Sequence, residues 1–286
     1  MKHATASSFF VPAFAKGLAA LAALWVAVML GGCAASGAAG PFAGSGASGS
    51  AGAEPLTESD EPESRRRARL RLALAVGYFE QGQTTVALDE IKQVLAIDPG
   101  LSDAYSLCGL IYMRLNSPQL AEESFRRALQ INPRDAGVLH NYGWFLCQQR
   151  RYPESLQAFN QALTNPLYLD TAKTYLALGL CQARAGQRAE AERSLAHAYE
   201  LDAGNPVTGY NLALLLYLRG DDSRAQFYIR RINNSDQANA ETLWLGARIE
   251  RRLNNTAAMR QLGDQLKRRF PQSKEAMAFE RGAFDE

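Results

Sequence analysis

The stretch His140-Asn141-Tyr142-Gly143-Trp144-Phe145-Leu146-Cys147 runs on through Tyr152-Pro153-Glu154-Ser155-Leu156 to Phe159-Asn160-Gln161-Ala162-Leu163. In it Gly143 is followed twelve residues later by the small Ser155, and four after that by Phe159. The same small, small, apolar series recurs along the chain. It reads Ala75, Ala87, Ile91; Gly109, Ala121, Phe125; Gly143, Ser155, Phe159; Gly179, Ala191, Leu195; Ala213, Ala225, Ile229; and Gly246, Ala258, Leu262. Its first members are spaced by 34, 34, 36, 34 and 33 residues.

Two antiparallel helices approach closely only where small residues face each other at the crossing. Gly or Ala, with Ala or Ser twelve residues on, supplies that crossing, and the apolar residue four further on fills the gap toward the next unit. A period near 34 residues is that of the tetratricopeptide repeat, a helix-turn-helix unit. One unit cannot bury its apolar faces alone, so units stack. The expected fold is therefore all-α: a superhelical solenoid of six repeats over residues 65–271, closed by a capping helix within 272–286. In that last segment Ala276, Met277 and Phe279 are the apolar face. The net charge of +2 implies no strong attraction to nucleic acid.

Residues 1–33 read as a signal peptide. Lys2 and Lys16 are its positive charge, and Gly17 to Leu30 is an apolar run too short for a comfortable membrane span. The run closes on Leu30-Gly31-Gly32-Cys33, an arrangement similar to the bacterial lipobox, in which the cysteine is lipidated and becomes the mature N-terminus. The alternative is an ordinary signal with an incidental cysteine. On the lipobox reading, Cys33 carries diacylglycerol and a fatty acid, and Ala34 at the sorting position implies the outer membrane. Residues 34–64, Gly/Ala/Ser-rich and then acidic, read as a disordered tether. Arg65-Arg66-Arg67-Ala68-Arg69 opens the first helix, as a solvated start or as a contact for an acidic surface.

First helices should end in a left-handed turn seven residues after the series' first member, where Gly82, Asn116, Gly186 and Gly220 stand and Arg150 departs from the pattern. Pro118 and Pro153 suit the first turn of second helices. The third-to-fourth connection is longer by two residues, and Asn165-Pro166-Leu167-Tyr168-Leu169-Asp170 should bulge with Leu167 or Leu169 tucked inward. Asn233-Asn234-Ser235-Asp236 reads as a mobile polar turn.

No pattern for catalysis is present. There is no His-Glu-x-x-His, no phosphate loop, no Gly-x-Ser-x-Gly elbow and no paired Cys-x-x-Cys. The expectation is no enzyme, no metal, no small-molecule substrate and no cofactor beyond the lipid. Cys108 falls at a buried repeat position. Cys147 and Cys181 lie near the ends of first helices in adjacent repeats. In an exported protein they are either a disulfide or two thiols.

First helices line the concave face of such solenoids. With a period of 3.6, the places facing the groove are the residue after each first small residue, the third beyond that, and the fourth before it. They include Leu72, Val76, Phe79, Leu110, Met113, His140, Trp144, Leu176, Leu180, Leu214 and Tyr217. In the sixth repeat they are Leu243, Ala247 and Glu250. Asn141 and Asn211 stand one after His140 and Tyr210, where related repeats hydrogen-bond a peptide. So apolar a face marks a binding groove; the alternative is curvature tight enough to bury it. Few charges stand on this face, so apolar contacts should dominate.

With these features in place, the chain resembles the type IV pilus biogenesis/stability lipoproteins, the PilW/PilF family. The residues that carry the likeness are Asn141 to Cys147, Tyr152, Ala158-Phe159, Asn165-Pro166-Leu167-Tyr168 and Gly179-Leu180-Cys181, within about residues 68–271. The resemblance implies a pilotin. Such a lipoprotein binds the type IV pilus secretin and promotes its outer-membrane localisation and multimerisation, with its solenoid facing the periplasm. Other readings are a scaffold lipoprotein of the β-barrel assembly machine and a regulator of peptidoglycan synthesis.

Overall fold

The computed structural model describes residues 62–284. The segments 1–33 and 34–61, and with them Cys33, lie outside the described residues. The described residues form thirteen helices and no strand. Six antiparallel pairs follow one another: α1 (Glu63–Glu80) with α2 (Thr84–Ile97), α3 (Ser102–Arg114) with α4 (Pro118–Ile131), α5 (Ala136–Gln148) with α6 (Tyr152–Leu163), α7 (Thr171–Arg184) with α8 (Arg188–Leu201), α9 (Pro206–Arg219) with α10 (Asp222–Asn233), and α11 (Ala240–Arg252) with α12 (Thr256–Arg269). A last helix, α13 (Lys274–Arg281), packs on α11 and α12.

The pairs close as the small-residue series requires. A methyl group added at Gly109 would lie 2.6 Å from the Phe125 ring, at Gly143 3.0 Å from Phe159, and at Gly179 2.7 Å from Leu195. The apolar third member of each series therefore sits directly on the glycine. Phe125, Phe159, Leu195 and Ile229 are fully buried, as are Ala87, Ala121, Ser155, Ala191 and Ala225. First helices of successive repeats touch, α1 on α3, α3 on α5, α5 on α7 and α9 on α11. Second helices are held apart from one another by the first helices, which places the first helices on the inner face.

Each first helix ends on a left-handed residue: Gly82, Asn116, Arg150, Gly186, Gly220 and Asn254, with φ from 55° to 90°. Arg150 adopts φ 61° in spite of its Cβ. The sixth of these corrects the sequence reading. Asn254 follows Gly220 by 34 residues, and α12 starts 34 after α10. The sixth repeat is thus registered on Ala247, Met259 and Gly263, one residue later than the Gly246 series. Gly246 is small for two contacts: where its Cβ would be, the Asn233 amide lies 2.5 Å away and the Leu262 side chain 3.1 Å away. Asn233 is itself buried and donates to the Thr242 carbonyl at 3.0 Å, so the expected mobile turn is anchored at its first residue. Gly263 receives the Phe279 ring of α13, and Trp244, Phe279 and Phe284 form an aromatic cluster over the end of the solenoid.

The long third-to-fourth connection also departs from expectation. Leu167 and Leu169 are 85% and 93% exposed, and Tyr168 is the residue tucked inward. Its hydroxyl can reach the Thr174 hydroxyl, 3.0 Å away, a partner that neither leucine could use. α1 begins at Glu63 and α13 ends at Arg281, so the solenoid starts two residues before 65 and the cap is shorter than its segment.

Candidate partner-binding groove

The inner face is built from about two turns of each first helix. In repeats one to four it presents Leu72, Phe79, Leu110, Met113, Trp144 and Leu176, all half-buried, with Val76 37% exposed. Leu214 continues the strip in repeat five. All of them but Val76 lean partly on a core cluster. Leu110 and Met113 pack on Phe125, Phe145 and Leu146, and Trp144 packs on Cys147, Phe159 and Leu178. The face is therefore a groove whose floor is half committed to the fold and half open.

Four of the expected groove residues are not open. Leu180, Tyr217, His140 and Asn211 are buried, at 4%, 7%, 6% and 1% exposure. Asn211 donates its amide to the Val207 carbonyl one turn back, at 2.8 Å. Asn141 is half-buried and donates to the Ser106 hydroxyl of the preceding repeat at 3.1 Å. Asn141 thus ties two repeats, whereas Asn211 bonds within its own helix and keeps a buried side-chain oxygen without a hydrogen-bond partner. In the sixth repeat Leu243, Ala247 and Glu250 are all buried. Glu250 accepts from Gln226, Arg230 and Asn255. The one-residue register change puts Trp244, Arg248 and Arg251 on the groove side in their stead.

His140 is a structural residue. Its Nδ1 lies 2.8 Å from the Thr174 hydroxyl of the next repeat, and its ring meets the Phe159 ring edge-on. Burial, helped by the charge of Lys173, brings its pKa down to about 3, so it stays neutral at physiological pH. Beside it the chain is cross-linked: a disulfide joins Cys147 of α5 to Cys181 of α7, with Cα atoms 5.8 Å apart. The Ser155 hydroxyl stands 3.2 Å from the Cys181 sulfur. Cys108 is a buried free thiol, pushed up to about 11 by burial.

The groove is more charged than the sequence reading allowed. Arg114 stands over the Phe79 ring, 3.8 Å from its centroid. Arg184 stands over Trp144 at 5.0 Å, and Arg248 over Tyr217 at 5.1 Å and Trp244 at 5.9 Å. Spacing could have revealed them, since Arg114, Arg184 and Arg248 each follow an inner-face residue (Leu110, Leu180, Trp244) by one helical turn. Among the described residues no group of three or more His, Cys, Asp or Glu is placed to hold a metal ion, and no helix is long and apolar enough to cross a membrane.

Paired helices of this length and period, stacked with a half-open inner face, define a tetratricopeptide-repeat protein, and the tetratricopeptide repeat pattern itself matches residues 102–135 and 124–157. A type IV pilus assembly protein of Pseudomonas aeruginosa, PilF, is 30% identical over 226 residues, which span 79% of this chain and 89% of that one. The solved structure of Pseudomonas aeruginosa PilF superposes with a TM-score of 0.70 at 30% identity, covering 77% of this chain and all of that one. The crystal structure of PilW, a widely conserved type IV pilus biogenesis factor, does so with a TM-score of 0.69 at 31% identity, covering 75% and 98%. The chain belongs to the PilF/PilW family of type IV pilus biogenesis tetratricopeptide-repeat proteins.

Proposed function

We propose that this type IV pilus biogenesis protein acts as a pilotin: it binds the pilus secretin through the inner groove, without catalysis, and promotes secretin multimerisation in the outer membrane. The observation that carries this reading is the half-open strip from Leu72 to Leu214, continuous across five repeats, in a chain of the PilF/PilW family. A half-buried aromatic such as Trp144, held on one side by the core, is the kind of rigid anchor that dominates interface energetics. The anchor to the membrane in this reading is lipid on Cys33, at the end of the apolar run of the signal.

The test is Leu110→Glu, which puts a carboxylate into the open half of the strip. Secretin multimers in outer-membrane fractions and surface pili should fall while the purified variant melts within a few degrees of wild type. Normal multimers with a folded Leu110→Glu protein would move the contact to another face. Cys33→Ser should abolish lipid labelling and shift the protein out of the membrane fraction; unchanged fractionation would remove the anchor from the reading.

A further inference from the structure

Three guanidiniums on the inner face share one unusual setting. Arg114, Arg184 and Arg248 each stack on an aromatic ring, and none has a carboxylate partner among the described residues. Arg184 and Arg248 are half-buried. Burial draws the Arg184 guanidinium below the usual arginine range, and the Nε of Arg248 is buried with no hydrogen-bond partner. Elsewhere the chain neutralises comparable arginines: Glu122 holds Arg126 and Arg151, Glu192 holds Arg219 and Arg224, and Glu250 holds Arg230. The place one turn beyond the groove residue reads Glu80, Arg114, Gln148, Arg184, Leu218 and, in the corrected register, Arg252. Its one carboxylate is in the first repeat.

A guanidinium held over a ring is already oriented, and the edge donors it does not use can take a carboxylate without further ordering; Arg114 spends one donor on the Phe79 carbonyl and offers the others. A half-buried cation with no counter-charge is costly to desolvate, and a partner carboxylate relieves that cost. We propose that the groove takes a partner segment in which carboxylates are interspersed with apolar side chains, the carboxylates meeting Arg114, Arg184 and Arg248 across repeats two to six and the apolar groups meeting the strip beside them. This deepens the secretin reading and rests on it for the identity of the partner, but not for the chemistry of the segment.

The experiment uses the full lipidated chain in detergent, with binding read by fluorescence anisotropy against two sets of labelled probes. One set is overlapping peptides tiling the type IV pilus secretin. The other is a designed peptide alternating Leu and Glu, with its Leu/Gln and Leu/Lys counterparts. The Leu/Glu peptide should bind at least about tenfold tighter than Leu/Gln, and Leu/Lys more weakly still. That preference should shrink as salt rises from about 0.05 M to about 0.5 M. Arg184→Gln and Arg248→Gln should each remove most of it, Arg184→Lys should restore part, and Arg193→Gln on the outer face should change nothing. Thermal melts accompany each variant, and the Leu/Glu to Leu/Gln ratio is read within one protein, so a modest loss of stability does not mimic the effect. Equal affinity of the Leu/Glu and Leu/Gln peptides overturns the proposal, even where secretin peptides bind and the secretin reading survives. A Leu/Glu preference with no secretin peptide bound keeps the acidic-segment proposal and removes the secretin. One further result overturns it: if changing Glu54, Glu58, Asp60 and Glu61 to Gln is what opens the groove to peptides, its occupant is the chain's own acidic stretch.

Discussion

The Arg184 guanidinium of repeat four lies over the Trp144 indole of repeat three, 5.0 Å from the ring centroid, close to the Cys147–Cys181 disulfide that joins the same two helices. The pair joins two adjacent repeats and also forms part of the groove surface. A stacked, partly desolvated guanidinium contributes about 0.5–2 kcal/mol, and Trp144 packs on Phe159 and Leu178 besides. Trp144→Ala should therefore cost stability, roughly 2 kcal/mol, below the about 3–5 kcal/mol of a fully buried aromatic. A double-mutant cycle of Trp144→Ala with Arg184→Gln, read by denaturant unfolding, should give a coupling of about 0.5–1 kcal/mol. A coupling indistinguishable from zero would show the stack to be incidental.

Stability should depend on pH through His140. Its folded pKa of about 3 lies below the unfolded value, so the unfolded chain binds the proton first as pH falls. The neutral ring's contribution is fully present above about pH 6.5 and is lost progressively as pH drops toward the folded pKa. Wild type should lose melting temperature between about pH 7 and pH 5, a range in which most carboxylates stay ionised. His140→Phe, whatever its starting stability, should flatten that slope. Parallel slopes for the two proteins would assign the acid sensitivity elsewhere.

The cross-link between α5 and α7 spans 34 residues. Chain-entropy arguments put the stabilisation from closing a loop of that size at roughly 3–4 kcal/mol. Both cysteines are buried, so mild reductant should act slowly on the native protein. Denatured, unreduced Cys33→Ser protein should show only Cys108 reactive, and the Cys147→Ser/Cys181→Ser double variant should unfold at markedly lower denaturant. Three reactive thiols in that count would exclude the bridge.

Arg150 carries a cost that four other repeats avoid with glycine or asparagine in its place and Asn254 lowers in the sixth. A side chain with a Cβ in the left-handed region costs roughly 1–2 kcal/mol, of which about 0.4–1 kcal/mol is returned to the unfolded chain's freedom when glycine replaces it. Arg150→Gly should raise the melting temperature by a degree or more and leave partner binding unchanged. A lower midpoint would mean that Arg150 makes a compensating contact.

Much of this architecture was legible because the crossing of two helices leaves a chemical trace. Gly109 on Phe125 and Gly143 on Phe159 are steric facts that only small residues satisfy, and they recur at fixed spacing. The left-handed turns were legible for the same reason at Gly82 and Gly220. Where a small residue served a second contact, the reading slipped: Gly246 faces Leu262 as the series expects, but it also yields to the Asn233 amide, and it drew the sixth repeat one residue out of register. That slip pointed Glu250 into the groove and hid Arg248.

The third-to-fourth connection failed for a different reason. Hydrophobicity favoured burying Leu167 or Leu169, but the buried hydroxyl of Thr174 and the neutral ring of His140 demanded a polar partner, and Tyr168 could bring both an apolar ring and a hydroxyl. Partner geometry across repeats is not written in any local pattern. The same holds for Asn211, whose groove position was inferred from its place in the repeat and whose amide was taken by Val207.

The interface between repeats three and four differs in kind from the others. It carries the covalent bond, the His140–Thr174–Tyr168 chain of polar contacts and the Arg184–Trp144 stack, whereas the interfaces on either side are joined by packing and by ion pairs, Arg151 with Glu122 on one side and Arg219 and Arg224 with Glu192 on the other. A stack of units touching only their neighbours behaves as springs in series, each junction yielding according to its own stiffness. With the middle junction clamped, bending and twisting fall to the junctions on either side. The solenoid should then flex as two arms about a stiffer hub, and Trp144 sits on the hub.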